Sequence, residues 1–286
     1  MAVAKSFRHK KNDMYTVKEF KKIEGIRNLL PPKMKSTLPK PFSLKVIENY
    51  SVAFYEAFGG ETLLARSKKE TGFFTTGRID FILQGTADWL FSFQKSIKNG
   101  KSLETENCKI PLRILNQRIQ NKNRLSSLLE AESFLEKQNS LPSHPAQGDF
   151  WMGNIFYTGK GIGVVDWEFF DTTDLPLFDL FFLITTLSWN TPASRNPDGI
   201  NRKEGFYFYL FTESLFGKIA LKILNQYAYL FNIPPGNFED LFLLFLATMA
   251  TREERTFGQP GETDFTWQEL LQFYLKMREK KKPLWV

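Results

Sequence analysis

Apolar residues recur every three or four positions through TVKEFKKIEGIRNLL (16–30). Val17, Phe20, Ile23, Ile26 and Leu30 form one stripe, and charged residues fill the other side. That spacing predicts an amphipathic helix. Thr16, with Glu19 three residues on, predicts a capping box at its start, and Pro31 and Pro32 predict its end. The next stretch, SLKVIENYSVAFYEAFGGETL (43–63), changes to short β-type runs. It predicts two strands, the second over 51–55 and stopping at Glu56, before Gly59 and Gly60. From Arg78 the helical period returns, over about 78–98, 122–138, 203–231, 237–255 and 266–280. LPLFDLFFLITTL (175–187) is apolar but short and carries Asp179, which predicts a buried helix and not a membrane span. TPASRNPDGINRKEG (191–205) reads as a loop. No internal repeat or low-complexity segment interrupts this order.

One β-island breaks the helical part, HPAQGDFWMGNIFYTGKGIGVVDWEFF (144–170). NIFY (154–157) and IGVVDW (162–167) are β-type runs separated by the glycine-rich TGKG. With the turn centred near Lys160, residue 156 faces 164 and residue 154 faces 166. Folding alone then sets Asn154 beside Asp166, with Asp149 on the loop leading in. An amide oxygen beside a carboxylate makes a hard-oxygen site suited to magnesium, which takes few protein ligands together with substrate phosphates. A further carboxylate nearby is a candidate for accepting a proton from a substrate hydroxyl. Asp, Asn and Gly are also ordinary turn residues, and that plainer account explains each of them singly. It leaves their joint spacing around one hairpin unexplained. GKGIG (159–163) precedes a strand, so it is a hairpin turn and not a dinucleotide fingerprint. GNIFYTGKG is one residue too long for a phosphate loop, with Gly161 where Ser or Thr belongs.

Composition narrows the classes. With 42% hydrophobic residues among 286, the chain can bury a substantial core. The net charge of +7 is densest at RHKK (8–11) and REKKK (278–282), both near a terminus. No aromatic-basic motif accompanies them, so neither a nucleic-acid partner nor a membrane partner is expected. One cysteine, Cys108, forms no intramolecular disulfide, and two histidines make a zinc site improbable. The first residues lack the apolar run of a signal peptide. These features together predict a cytoplasmic location.

QGDFWMGNIF…GVVDWEFFDTTDLPLFDL resembles the catalytic core of the aminoglycoside phosphotransferase and choline-kinase group, relatives of the protein kinases. The group's pattern is H-G-D-x-x-x-x-N, a hairpin, I-D-W/F-E, then P-x-x-D-L. The resemblance implies an α+β, protein-kinase-like fold. Its small mixed N-lobe would span 1–58, and its large, mostly helical C-lobe, 59–286, would carry the catalytic hairpin. It also implies ATP and magnesium as cofactors. Asp149 matches the catalytic base, Asn154 a magnesium ligand, and Asp166 the aspartate whose metal bridges the nucleotide phosphates. Gln147 replaces the usual histidine and keeps its capacity to donate and accept. Asp179, in PLFDL, matches a structural aspartate. SVAFYEAFGGETL resembles the strand and hinge that hold adenine, which assigns Glu56, Ala57 and Phe58 to the nucleotide. Lys5 of AVAK matches the phosphate-gripping lysine, although AVAK also reads as a plain chain end. Glu19 is the better match to that lysine's partner on the following helix, and Glu24 the second. The strands and glycine loop that precede this lysine in the group have no counterpart here, so the expected N-lobe is truncated.

Two functions follow. The first is an ATP- and magnesium-dependent kinase acting on a hydroxyl of a small molecule, of aminoglycoside, sugar or amino-alcohol type. The second is a weak or inactive kinase-like binding or regulatory protein that lacks the phosphate loop. A glycosidase pairing Asp149 with Asp166 or Glu168 leaves Asn154 and the hinge unexplained. The acceptor would lie around 189–205 and 252–264. The oligomeric state is not legible.

Overall fold

A computed structural model describes residues 2–6, 13–70, 72–98, 144–158, 161–173, 175–190, 195–196, 199–200, 202–233, 235–257 and 266–280. Residues 1–105 with 145–172 form one compact unit, and residues from 173 onward belong to a second. Residues 1–58, the expected small lobe, lie wholly within the first.

The first unit begins with β1 (Ala2–Lys5), α1 (Asp13–Leu29), the single turn α2 (Pro32–Lys35), β2 (Pro41–Ile47) and β3 (Tyr50–Glu56). β1 and β2 flank β3 in an antiparallel sheet. The β2–β3 link runs through Glu48 and Asn49 at φ of +50° and +66°, the left-handed pair that matches the twist of a hairpin. Along β3, Ser51, Ala53 and Tyr55 alternate into the interior, and the Tyr55 ring lies 6.1 Å from Phe20 of α1. Phe20, Ile23, Ile26 and Leu30 of the expected stripe are buried.

The expected capping box at Thr16 does not form. α1 starts at Asp13, so Thr16 lies inside the helix, fully buried with its Oγ1 unpartnered. Glu19, the other half of that box, turns its carboxylate into the interior, where stronger donors await it.

β4 (Glu61–Thr62), α3 (Leu63–Lys69) and α4 (Thr76–Lys98) follow. Next come β5 (His144–Ala146), β6 (Ile155–Thr158), β7 (Gly161–Val164) and β8 (Asp171–Thr173). Strands β4, β6 and β7 make a second antiparallel sheet, in that order. Its hydrophobic support comes from α4. Trp89 stacks on Phe93 at 5.3 Å and on Phe150 at 5.7 Å, while Phe93 meets Trp167 at 5.1 Å. Trp167 is fully buried, and its Nε1 donates to Val164 O at 3.0 Å. Trp167→Ala should therefore cost about 3–5 kcal/mol, the range for emptying a large aromatic site. Denaturant unfolding checks this.

In the second unit, α5 (Phe178–Ser188), α6 (Arg202–Phe211), α7 (Leu215–Leu230), α8 (Phe238–Phe257) and α9 (Trp267–Arg278) enclose an aromatic core. Phe181 meets Phe242 at 5.1 Å, and Phe206 stacks on Phe242. The single helix expected over 203–231 is two helices. The first ends at Phe211, and Ser214 caps the second, its Oγ accepting from Gly217 N at 3.0 Å. A capping box does form at α9, between Thr266 and Glu269. Asp179 is buried in the first turn of α5. Burial, and then Asp179, hold the Tyr227 hydroxyl well above its ordinary pKa. The loop expected over 191–205 contains a two-residue ladder, Gly199 against Asn196 and Ile200 against Arg195. The helix expected over 122–138 and residues 258–264 of the expected acceptor region lie outside the described residues. Among the described residues no helix is long and apolar enough to cross a membrane.

Candidate active site

Every sequence-assigned site residue lies in the first unit. Lys5, at the end of β1, pairs with Ala53 on β3, so its side chain shares the face that packs on α1. Its Nζ lies 2.7 Å from Glu19 Oε2 and 2.8 Å from Asp166 Oδ1. Three segments far apart in sequence are thus joined by one ammonium. Glu19 is 2% exposed, whereas Lys5 and Asp166 are 28% and 33% exposed and open toward solvent. The other Glu19 oxygen, Oε1, accepts from Trp167 N at 3.0 Å. This is where the carboxylate went instead of capping α1.

Burial works against the charged form of Lys5, but Glu19 and then Asp166 outweigh it and hold the pKa above the usual lysine value. Burial, followed by the same two carboxylates, raises the nearby Tyr55 hydroxyl. Lys22, one turn beyond Glu19, donates to the carbonyls of Glu168 at 3.0 Å and Phe170 at 2.8 Å, pinning α1 to the chain after Asp166. The Glu168 carboxyl is pushed up to about 7, first by burial and then by the charge of Asp166.

The second cluster is the loop 147–154. Asn154 Nδ2 donates to Asp149 O and to Asp149 Oδ2, both at 2.9 Å. Gln147, fully buried, joins this loop to the first cluster. Its Oε1 accepts from Asp149 N at 2.8 Å, while its Nε2 donates to Val165 O at 3.1 Å and to Asp166 O. Gly148 between them has φ +86°, and a Cβ there would come within 2.5 Å of Phe169 O, so glycine is required. Gln147→Leu would leave a buried N–H and two carbonyls short of a partner. It should lower stability by roughly 1–3 kcal/mol, and Gln147→His, which keeps a donor and an acceptor, by less. Urea unfolding of both variants is the measurement.

The hairpin register differs by one from the expected one. Phe156 faces Gly163 and Ile155 faces Val164, so Asn154 opposes Val165, whose N–H it accepts at 3.0 Å. The pairing closes at Thr158 with Gly161, so the link is two residues, the length right-twisted strands favour. Asp166 then lies one step beyond Asn154's partner and takes φ +60°, a left-handed conformation that re-aims its carboxylate to Lys5.

Glu56 ends β3, and Ala57 and Phe58 follow it directly. The Glu56 carboxylate is exposed and bonded to Lys40 at 2.6 Å, which holds its pKa below the usual range. The Phe58 ring lies 5.8 Å from Phe156 and against Gly163. β3 carries Glu56 and Ala53, the strand partner of Lys5, and leads directly into Ala57 and Phe58. Sequence reading passed over Lys22 and the Trp167 N–H. A lysine three residues after Glu19, on the same helix, was the available signal for the first, and backbone donors leave none.

The chain has the kinase-like fold of the small-molecule phosphotransferases. Amicoumacin kinase hAmiN, solved with AMP-PNP, Ca2+ and Ami, superposes with a TM-score of 0.59 at 11% identity, over 99% of this chain and 82% of that one. Choline kinase from Cryptosporidium parvum Iowa II gives 0.54 at 14% identity, over 98% and 82%. Aminoglycoside phosphotransferase APH(3'')-Id from Streptomyces rimosus, solved with ADP and streptomycin, gives 0.51 at 11%, over 86% of each chain. No family model matches the sequence, and no curated protein matches it.

Proposed function

We propose that this chain is an ATP- and magnesium-dependent phosphotransferase that phosphorylates a hydroxyl of a small molecule of aminoglycoside, sugar or amino-alcohol type. The observation that carries the reading is the Glu19–Lys5–Asp166 chain, at 2.7 and 2.8 Å. A lysine clamped by a helix glutamate, beside an aspartate with free oxygen capacity, is the arrangement phosphoryl transfer needs to grip phosphates. The similarity to kinases solved with AMP-PNP or ADP supports the same reading.

In this reading Lys5 reaches the phosphates, and Glu19 keeps it charged and fixed in direction. Glu56, Ala57 and Phe58 offer the backbone at which adenine docks, between lobes 1–58 and 59–286. Asp149 orients the acceptor hydroxyl and takes its proton. The donor set suits a hard cation. Both N–H groups of Asn154 are committed to Asp149, which leaves Oδ1 as its ligand atom, and Asp166 keeps Oδ2 beyond its bond to Lys5. Among the described residues no hydrogen bond engages either oxygen. Two oxygens with waters and phosphate completing the shell are what magnesium accepts. Bound there, magnesium would supply charge neutralisation for the phosphates.

The test is ADP release from ATP with magnesium, over a panel of aminoglycosides, glucosamine and choline. Acceptor-dependent release abolished by EDTA is expected. No release with any acceptor, together with no binding of AMP-PNP, would favour the non-catalytic reading.

A further inference from the structure

A cavity of about 730 Å³ opens in the first unit between the end of α1, the segment 32–40, residues 56–60 and the β6–β7 hairpin. Of the assigned site residues Glu56, Ala57 and Phe58 line it, and none of Lys5, Glu19, Asp149, Asn154 or Asp166 does. Strand alternation explains the separation. Tyr55 turns toward α1 and the Lys5 cluster, so its neighbour Glu56 turns the other way, where Lys40 meets it.

The cations lining this cavity are Arg27, Lys35 and Lys40, against one carboxylate, Glu56. Lys40 and Glu56 compensate each other. That leaves Arg27 and Lys35, two positive charges in excess. Arg27 is half-buried and fixed in direction, because Nη1 alone donates to the carbonyls of Lys35, Leu38 and Pro39. Among the described residues no hydrogen bond engages its Nη2 or Nε, and no ion pair engages Lys35. Leu38, Phe58 and Ile162 supply the apolar part of the remaining surface, beside Ser36, Thr37 and Thr158. Leu38 is buried, and the Phe58 ring is wedged against Gly163, where a Cβ would approach to 3.0 Å. The near wall is held by Val164 N donating to Thr37 O at 2.8 Å.

We propose that this cavity is a second ligand site, which takes a small phosphate monoester on an apolar or ring-shaped body. A phosphate monoester carries close to two negative charges at neutral pH, matching the excess, whereas a carboxylate supplies one. A guanidinium with a fixed orientation and a free edge binds such a group through paired hydrogen bonds, and Lys35 adds a mobile point charge. Phe58, Leu38 and Ile162 receive the apolar body. The residues that recognise the ligand's charge, Arg27 and Lys35, lie outside the phosphotransfer machinery, whereas Phe58 borders the proposed adenine site as well.

The probe is phenyl phosphate, titrated calorimetrically into the whole protein, with phenol as the uncharged control. Saturable binding is expected, with phenol much weaker. Lys35→Glu should weaken it at least tenfold, about 1.4 kcal/mol, and Arg27→Lys should weaken it by a smaller factor. Lys35 makes no side-chain bond, so its variant is expected to melt like wild type even where an Arg27 variant loses stability. Lys5→Met should leave phenyl phosphate binding unchanged. Absence of binding, equal binding of phenol, or indifference to Lys35→Glu would overturn the proposal. Loss of binding on Lys5→Met would also overturn it, by putting the anion in the Lys5 site.

Discussion

Asp149→Ala is expected to lower turnover by about 100-fold or more while nucleotide affinity stays close to wild type, since a positioned general base contributes at that scale. Asp149 is held on both sides. Its backbone N–H is fixed by Gln147 at 2.8 Å, and its Oδ2 accepts from Asn154 at 2.9 Å. Removing the carboxylate should leave the Lys5–Glu19–Asp166 chain standing, because its two ion pairs join Lys5 to Glu19 and to Asp166. The phosphate end of the site should therefore still bind nucleotide, and the loss should fall on the chemical step. Asn154 loses one of its two acceptors, a modest cost in stability that a melting curve will show. Asp149→Asn separates the roles further, as it keeps the shape and removes the basicity. Steady-state kinetics with a calorimetric ATP affinity make the measurement. A drop in affinity as large as the drop in turnover would give Asp149 a structural role.

The sequence made the helices and the chemistry of the hairpin legible to different depths. α4, α8 and α9 announced themselves through long apolar periods, which survive any tertiary arrangement. The joint in 203–231 was hidden because apolar residues continue through it, and only the capping use of Ser214 marks the break. Thr16 and Glu19 carry a genuine capping signature, yet the helix runs past it. A local signature loses where a buried carboxylate meets an ammonium and a backbone N–H held by the core. The hairpin was readable as a hairpin, but a glycine-rich turn leaves its centre ambiguous by one residue. That ambiguity changes which residue faces Asn154. Asp149, Asn154 and Asp166 remain candidates despite it, because the motif spacing that nominates them does not depend on the register. The bridging geometry of Gln147 was out of reach, since it depends on a left-handed Gly148 and on carbonyls 18 and 19 residues away.

Asp166 carries the other large expectation. Asp166→Ala should abolish the magnesium-dependent part of nucleotide binding, so that ATP affinity becomes the same with and without the metal. Two effects combine in that variant and must be separated. Alanine at φ +60° pays a backbone cost of roughly 1–2 kcal/mol that aspartate and asparagine largely avoid. The loss of charge is the second effect, and Asp166→Asn isolates it. Asparagine tolerates the left-handed conformation and keeps one oxygen, but it has no charge for a divalent cation or for Lys5. Lys5 would retain Glu19 at 2.7 Å, so the lysine should stay charged and the fold should hold. Calorimetric titration of ATP, with and without magnesium, into wild type and both variants decides it. Wild type should tighten by at least tenfold on adding magnesium, about 1.4 kcal/mol, and neither variant should respond. If Asp166→Asn keeps the full magnesium response while Asp166→Ala merely unfolds more easily, Asp166 shapes the loop and the metal is held elsewhere.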